Sequence, residues 1–182
     1  MARIPYPDPI ELTEETAEFL SRLPALNIFR MLAGTEGLLQ AFTRFGNHLL
    51  YRSELNPVLR ELAILRVGVL SNAAYELHQH DDVSRQLGMS EALIAAARNG
   101  PDDPVLDDLQ SRVLRFTDDV VVNVRASDET FESLHQRLTP RALQELTVTI
   151  GCYMLVCRYL ETFGIDIEEP GTTDGLRTEH RS

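Results

Sequence analysis

The sequence predicts an all-α protein, a bundle of about eight or nine helices. Apolar positions recur at helical spacing, and no segment shows the strict alternation of a half-buried strand. Residues that start and stop helices follow one another at short intervals, so the connections between helices are short. Helices joined in this way pack through facing apolar stripes.

An extended arm precedes the first helix. Residues 1–12 carry prolines at alternate positions from Pro5 to Pro9, which disfavours helix. We expect this arm to lie over the body of the protein or over a neighbouring subunit. The helical domain is predicted to span residues 13–168, and the charged residues 169–182 are expected to form a disordered tail.

The first two predicted helices cover residues 13–22 and 27–50. Thr13 is a favourable capping residue for the first helix. Gly34 and Gly37 loosen the start of the second.

The next two helices are the best defined. Asn56 followed by Pro57 is a cap residue followed by a first-turn proline, and it begins a helix that pauses near Ser71 and Asn72. Another helix then covers residues 73–87. If these two helices fold back on each other at Asn72, they form a hairpin.

The second half of the chain alternates between stop and cap residues. Gly88 fits the left-handed position after a helix, and Ser90 caps a helix over residues 91–98 that Gly100 closes. Three further helices each begin at a polar cap residue and cover residues 103–124, 127–137 and 139–164.

The last of these helices is apolar around most of its circumference between Leu146 and Phe163. A helix that is apolar on all sides lies at the centre of a core or is shared with another subunit. We expect both here, and therefore a homo-oligomer.

Charge and hydropathy exclude two classes of partner. The net charge of −11, with no Lys/Arg-rich block, opposes binding to the phosphates of nucleic acids. No apolar run approaches the ~20 residues that span a bilayer, and the first residues lack the apolar core of a signal peptide. We expect a cytoplasmic protein with no membrane partner.

Cys152 and Cys157 are the only two cysteines. Five positions apart on a helix, they point in different directions and are poorly placed for a disulfide. They are expected to be small buried thiols, with a redox role left open.

Two neighbouring helices carry the candidate catalytic residues. Glu76 and His80 lie one turn apart on one helix face, and Glu61 lies in the preceding helix, within reach if the two helices fold back. Two carboxylates beside an imidazole suit proton transfer. The same spacing is also typical of a solvated surface pair, so both interpretations stay open.

Two other histidines are interpreted as structural. His78 and His80 are two residues apart and face opposite ways on a helix, so no metal site is predicted. His48 lies on an otherwise apolar helix and is expected to occupy a core or interface position.

Three stretches resemble the carboxymuconolactone decarboxylase domain, in which a Glu-bearing helix leads into a helix with a His, followed eight residues later by Gly and a new cap. They are Arg60-Glu61-Leu62-Ala63-Ile64-Leu65-Arg66, Tyr75-Glu76 with His80, and Gly88-Met89-Ser90 with Ile94. Residues 151–156 and Phe163-Gly164 resemble the final helix of that superfamily. The resemblance covers roughly residues 25–168 and implies an AhpD-like helical bundle assembled as a trimer or hexamer.

The superfamily has two known chemistries. Its AhpD-like alkylhydroperoxidases use a Glu, a Cys-x-x-Cys pair and a His. With the family His at His80, the relay Glu falls on Glu61, but the two cysteine positions hold Ala73 and Glu76. The resemblance thus implies the acid and base without the thiols, which disfavours a dithiol peroxidase.

The other branch comprises decarboxylases that need no metal or organic cofactor. The resemblance to it predicts a cofactor-free lyase or isomerase acting on a small oxo-acid, lactone or enolisable metabolite. His80 is the expected acid/base, Glu61 orients or relays to it, Glu76 is a second carboxylate, and Tyr75 is a candidate substrate-binding hydroxyl. The alternatives are a peroxidase that uses other cysteines and a non-enzymatic oligomer that binds a small molecule.

Overall fold

A computed structural model describes residues 1–169. Within these residues the chain forms nine α-helices and no β-strand, which confirms the predicted all-α class. A short 3-10 turn, Pro9–Glu11, comes first. The helices are α1 (Glu14–Ser21), α2 (Asn27–Leu32), α3 (Leu38–Tyr51), α4 (Pro57–Leu70), α5 (Ala74–Gln86), α6 (Glu91–Asn99), α7 (Asp108–Asn123), α8 (Asp128–His135) and α9 (Pro140–Phe163). The predicted tail lies outside the described residues, apart from Glu169.

Most helices begin where a polar side chain accepts a hydrogen bond from a backbone N–H of the first turn, as local capping requires. The residues that cap in this way at predicted positions are Thr13, Asn56, Ser90, Ser127 and Thr139. Gly164 ends α9 in the left-handed conformation, with φ of 58°.

Two predicted boundaries differ from the structure. The predicted helix over residues 27–50 is two helices, because the chain turns before Gly37, which has φ of 74° and precedes α3. The helix predicted to begin at Asp103 begins five residues later. There Asp107 and Gln110 form a capping box, in which each side chain accepts from the other's backbone N–H.

Helices α4 and α9 form the centre of the bundle and pack against each other. Leu62, Leu65, Leu146 and Ile150 from these helices are fully buried. The central position predicted for the last helix is therefore correct. One face of α9, which includes Val148 and Leu155, stays exposed, and its burial in another subunit remains a prediction.

The α4–α5 hairpin has the fold-back that the sequence predicts. Asn72 takes a left-handed φ of 51° between the two helices. Farther back, Gly68 of α4 lies so close to α5 that an added Cβ would meet Leu77 Cδ2 at 3.0 Å. This close approach brings the polar side chains of α5 against α4.

Both ends of the described chain pack on the bundle. The Arg3 backbone N–H donates to the Phe163 carbonyl oxygen at 2.8 Å, so the arm lies across the end of α9. Beyond α9, residues 165–169 return toward α2, where the Asn27 side-chain amide donates to the Asp166 carbonyl oxygen at 2.8 Å.

Two further observations concern the surface. None of the helices in residues 1–169 combines the length and apolar character needed to cross a bilayer. His48 is exposed on α3, so the core position expected for it is wrong, while the interface position stays a prediction. The reason is that α3 buries its opposite face, which includes Leu39, Thr43 and Leu49.

We expect Gly68→Ala and Gly151→Ala to affect stability in opposite directions. Both glycines lie within helices, but a Cβ at Gly151 meets nothing within 4 Å. Gly151→Ala should stabilise the fold by about 0.4–1 kcal/mol by reducing the entropy of the unfolded chain. Gly68→Ala crowds Leu77, so overpacking should lower the free energy of unfolding by about 1–3 kcal/mol. Urea denaturation measures both, and equal stabilisation by the two variants would contradict the close approach of α4 and α5.

Candidate active site

The structure brings the three predicted catalytic residues together in the interior. Glu61 projects from α4, and Glu76 and His80 project from α5. His80 Nδ1 lies 2.6 Å from Glu61 Oε2, and His80 Nε2 lies 3.0 Å from Glu76 Oε1. Each of the three residues is at most 4% exposed. The interpretation of Glu76 and His80 as a solvated surface pair is therefore wrong.

The two contacts of the imidazole are not equivalent. The contact with Glu61 is a short hydrogen bond. At Glu76 the groups lie within ion-pair distance, yet Glu76 Oε1 is buried and receives no hydrogen bond from any described residue. The Glu76 carboxylate therefore keeps acceptor capacity that the described residues leave unused.

Arg60 adds a fourth charged group that sequence reasoning missed. It is 4% exposed, and its Nε lies 3.1 Å from Glu61 Oε1. Its Nη1–H donates to the Leu50 carbonyl oxygen at 2.9 Å. The order Arg60, Glu61, His80, Glu76 alternates in sign when His80 is protonated, so two positive and two negative charges compensate one another. We call these four residues the charge chain.

The charge chain keeps His80 protonated. Burial lowers the pKa of the imidazole, but the negative charges of Glu61 and Glu76 raise it more, to about 10. At neutral pH the side chain is therefore an imidazolium that can donate protons from both nitrogens.

Glu76 and His80 lie on the wall of a cavity of about 480 Å³, within the size range of small-molecule sites. Glu61 is absent from this wall and contacts His80 from the far side. Tyr153 of α9 also lines the cavity, with its ring edge-on to the His80 imidazole at a centroid distance of 4.9 Å. Sequence reasoning assigned Tyr153 to the apolar core because its helix is apolar nearly all round.

Tyr75 lines the same cavity, but its hydroxyl already has a partner. It donates to Glu168 Oε1 at 2.5 Å. Gln79 Nε2 donates to Glu168 Oε2 at 2.7 Å, and the Asn27 backbone N–H donates to Oε1 at 2.6 Å. Glu168, which no sequence pattern indicated, thus fixes Tyr75 and Gln79 in the cavity wall.

The two cysteines are buried and unbridged. Cys152 lies on the cavity wall, whereas Cys157 does not. Burial, together with the charge of Glu76, raises the pKa of Cys152 to about 11 and that of Cys157 to about 12. Both side chains are therefore protonated thiols at neutral pH, which opposes nucleophilic attack.

No group of three or more His, Cys, Asp or Glu side chains in residues 1–169 is arranged to hold a metal ion. His78 is exposed and points away from His80, as helical spacing predicts.

Part of the chain resembles a known protein family. Residues 36–119 match the model of the carboxymuconolactone decarboxylase family, a stretch that contains Glu61, Glu76 and His80. No curated protein matches the chain.

Three solved structures share the fold. The alkylhydroperoxidase AhpD core of an uncharacterised peroxidase-related protein from Ralstonia eutropha JMP134 has a TM-score of 0.80 at 17% identity, over 92% of this chain and 93% of that one. An uncharacterised peroxidase-related protein from Silicibacter sp. TM1040 has a TM-score of 0.78 at 20% identity, over 91% and 90%. A protein of unknown function from Agrobacterium tumefaciens, named as a candidate antioxidant defence protein AhpD, has a TM-score of 0.70 at 22% identity, over 75% and 94%.

The family match covers the helices that carry the charge chain, and the structural likeness extends over most of the described bundle. Residues 36–119 are therefore similar to the carboxymuconolactone decarboxylase family, and the described bundle has the AhpD-like fold.

Proposed function

We propose that this protein is a cofactor-free lyase or isomerase that moves protons on a small enolisable carbonyl compound. The observation that carries the proposal is the buried His80 imidazole between two carboxylates, with Glu76 and His80 facing a cavity of about 480 Å³. A positioned acid and base in a water-poor site are what enolisation requires.

Glu76 is the proposed base and His80 the proposed acid. The Glu76 carboxylate removes a proton from the carbon beside the substrate carbonyl, the electron pair of that C–H bond forms a C=C bond, and the π pair of the C=O bond moves to the carbonyl oxygen. His80 Nε2–H stabilises or protonates this oxygen. Return of the proton to a different carbon completes an isomerisation. In a decarboxylating lyase, the bond from that carbon to a carboxylate breaks instead, and its electron pair forms the C=C bond as CO2 leaves. His80 then supplies the proton that the carbon gains and takes up another from water.

Glu61 is the proposed positioning residue. It holds His80 Nδ1 from the side away from the cavity, so it acts on substrate only through the imidazole. Its charge favours the imidazolium, and its pairing with Arg60 fixes the carboxylate in place. Tyr75 contributes its ring to the substrate site, since its hydroxyl is bound to Glu168.

Two wider expectations belong to the same proposal. We propose that the protein works in the cytoplasm and assembles as a homo-oligomer, either a trimer or a hexamer. Val148 and Leu155, two exposed apolar residues on one face of α9, support self-association, because exposed apolar side chains favour contact with another subunit.

The alternative function is a thiol-dependent peroxidase. Cys152 on the cavity wall favours it, as do the peroxidase-related names of the structurally similar proteins. The raised pKa of Cys152 and the position of Cys157 away from the wall oppose it. Binding of a small molecule without turnover is the other alternative, and it would leave the charge chain with a purely structural role.

We expect His80→Asn and Glu76→Gln to abolish proton exchange, with His78→Asn as the matched control. The measurement is deuterium incorporation from D2O into a panel of enolisable ketones and unsaturated lactones, followed by NMR. Loss of a positioned acid or base should slow exchange about 10²–10⁴-fold. His78 lies on the same helix but is exposed, so its replacement should leave the rate unchanged. Wild-type exchange rates in either site variant, with helicity retained, would contradict the proposal.

Cys152→Ala should leave this deuterium exchange unchanged, because a protonated thiol takes no part in the proposed proton transfer. Peroxide consumption by wild type and variant is measured in parallel. Peroxide consumption that disappears in the variant, with no exchange in either protein, would favour the peroxidase.

The free energy of unfolding should fall as pH rises from about 6.5 to about 10. The folded protein raises the pKa of His80 from its ordinary value of 6.5 to about 10, so the stabilisation is full below the lower value and lost above the upper one. Urea denaturation at several pH values measures this slope. His80→Asn should lack this component of the slope, whereas His78→Asn should keep it. The same slope in both variants would show that His80 does not hold the proton.

A further inference from the structure

We infer that the cavity binds an uncharged, mainly apolar carbonyl compound rather than a carboxylate. This inference rests on the proposed function and narrows its substrate class. It also departs from the oxo-acid that the family resemblance allows, and it favours isomerisation over decarboxylation.

The cavity wall carries few charges, and those it has are already paired within the protein. Of the twenty residues that line the cavity, Arg22, Glu76 and His80 are the only charged ones. The imidazolium is already matched by Glu61 and Glu76, and Arg60 is committed to Glu61 away from the cavity wall. A substrate carboxylate would meet the Glu76 carboxylate without an uncommitted cation beside it, and burying an unpaired charge is strongly unfavourable.

Arg22 does not supply that cation in the interior. Its side chain is 65% exposed, and its guanidinium pairs with Glu18 at 2.9 Å. An anion bound to Arg22 would therefore be held by a solvated group, where ion pairing contributes little.

Much of the cavity wall is apolar. The cavity wall includes Leu26, Ile28, Phe29, Phe42 and Val156. Such a wall favours a ligand that transfers apolar surface out of water.

Polar groups on the wall are largely engaged within the protein. The Thr43 hydroxyl donates to the Leu39 carbonyl oxygen at 2.8 Å, while Tyr75 and Gln79 donate to Glu168. These three side chains therefore direct donors into the protein rather than toward a bound carboxylate.

The Glu76 carboxylate has an acceptor oxygen that no described residue uses. The residue is 4% exposed, and its Oε1 receives no hydrogen bond from residues 1–169. The ligand group that faces it should carry a removable hydrogen rather than a second lone pair, and the α-carbon of a ketone meets that requirement.

The test is calorimetric titration of the full chain at pH 7 with 4-phenylbutan-2-one and 3-phenylpropanoate. The two probes have the same number of heavy atoms, and the methyl group of the ketone replaces one carboxylate oxygen. We expect the ketone to bind at least about tenfold more tightly. Glu76→Gln should narrow this ratio by removing the repelling charge. Equal or tighter binding of the carboxylate by the wild type, or no binding of either probe, would overturn the inference.

A matched pair of variants locates the binding. Gly46 lines the cavity and Gly151 does not, while an added Cβ at either position meets nothing within 4 Å. Gly46→Leu takes up cavity space and should weaken ketone binding, whereas Gly151→Leu should not. Unchanged binding in Gly46→Leu would also overturn the inference, because the ketone would then bind elsewhere.

These titrations need no turnover, so they separate the two proposals. Preferential binding of the ketone without deuterium exchange would support the proposed ligand class and contradict the proposed enzymatic function. Deuterium exchange on anionic substrates alone, with preferential binding of the carboxylate, would support the proposed enzymatic function and contradict the proposed ligand class.

Discussion

The site depends on a row of four buried charges whose signs alternate. Each charge in isolation would be costly to bury, since the interior solvates ions poorly. Arg60 compensates Glu61, Glu61 and Glu76 compensate His80, and the sum is zero. The removal of a single member leaves a buried ion uncompensated, so the row is retained or lost as a unit. The same compensation holds a proton on His80 at pH values where an isolated imidazole is neutral.

The backbone sets the distances in this row. The turn at Asn72 reverses the chain, and the bare Cα of Gly68 lets Leu77 pack against α4. Glu61 and His80 therefore face each other across two helices that are consecutive in sequence. Helix α9 completes the surroundings of the imidazole with the ring of Tyr153. The same hairpin therefore carries both the close packing of Gly68 against Leu77 and the 2.6 Å hydrogen bond between Glu61 and His80.

Local physics made much of this arrangement predictable. Helix starts follow from side chains that satisfy free N–H groups within three residues, and helical periodicity alone places Glu76 and His80 on one face. The approach of Glu61 required one assumption, that the chain folds back at Asn72. The helix start predicted at Asp103 is wrong. The capping box at Asp107 pairs two backbone N–H groups with side chains, so the helix begins later.

The remaining parts of the site depend on contacts between distant segments. The spacing of residues along the sequence does not reveal such contacts. Glu168 is one example: it follows the last helix, yet its carboxylate binds Tyr75, Gln79 and the backbone of Asn27. A chain cut just after Phe163 would retain the residues of all nine helices and still lose the anchor of two side chains in the cavity wall. The cavity wall of this protein therefore depends on residues past its last helix, and the strip that follows α9 holds two side chains of that wall in place as well as tethering the chain.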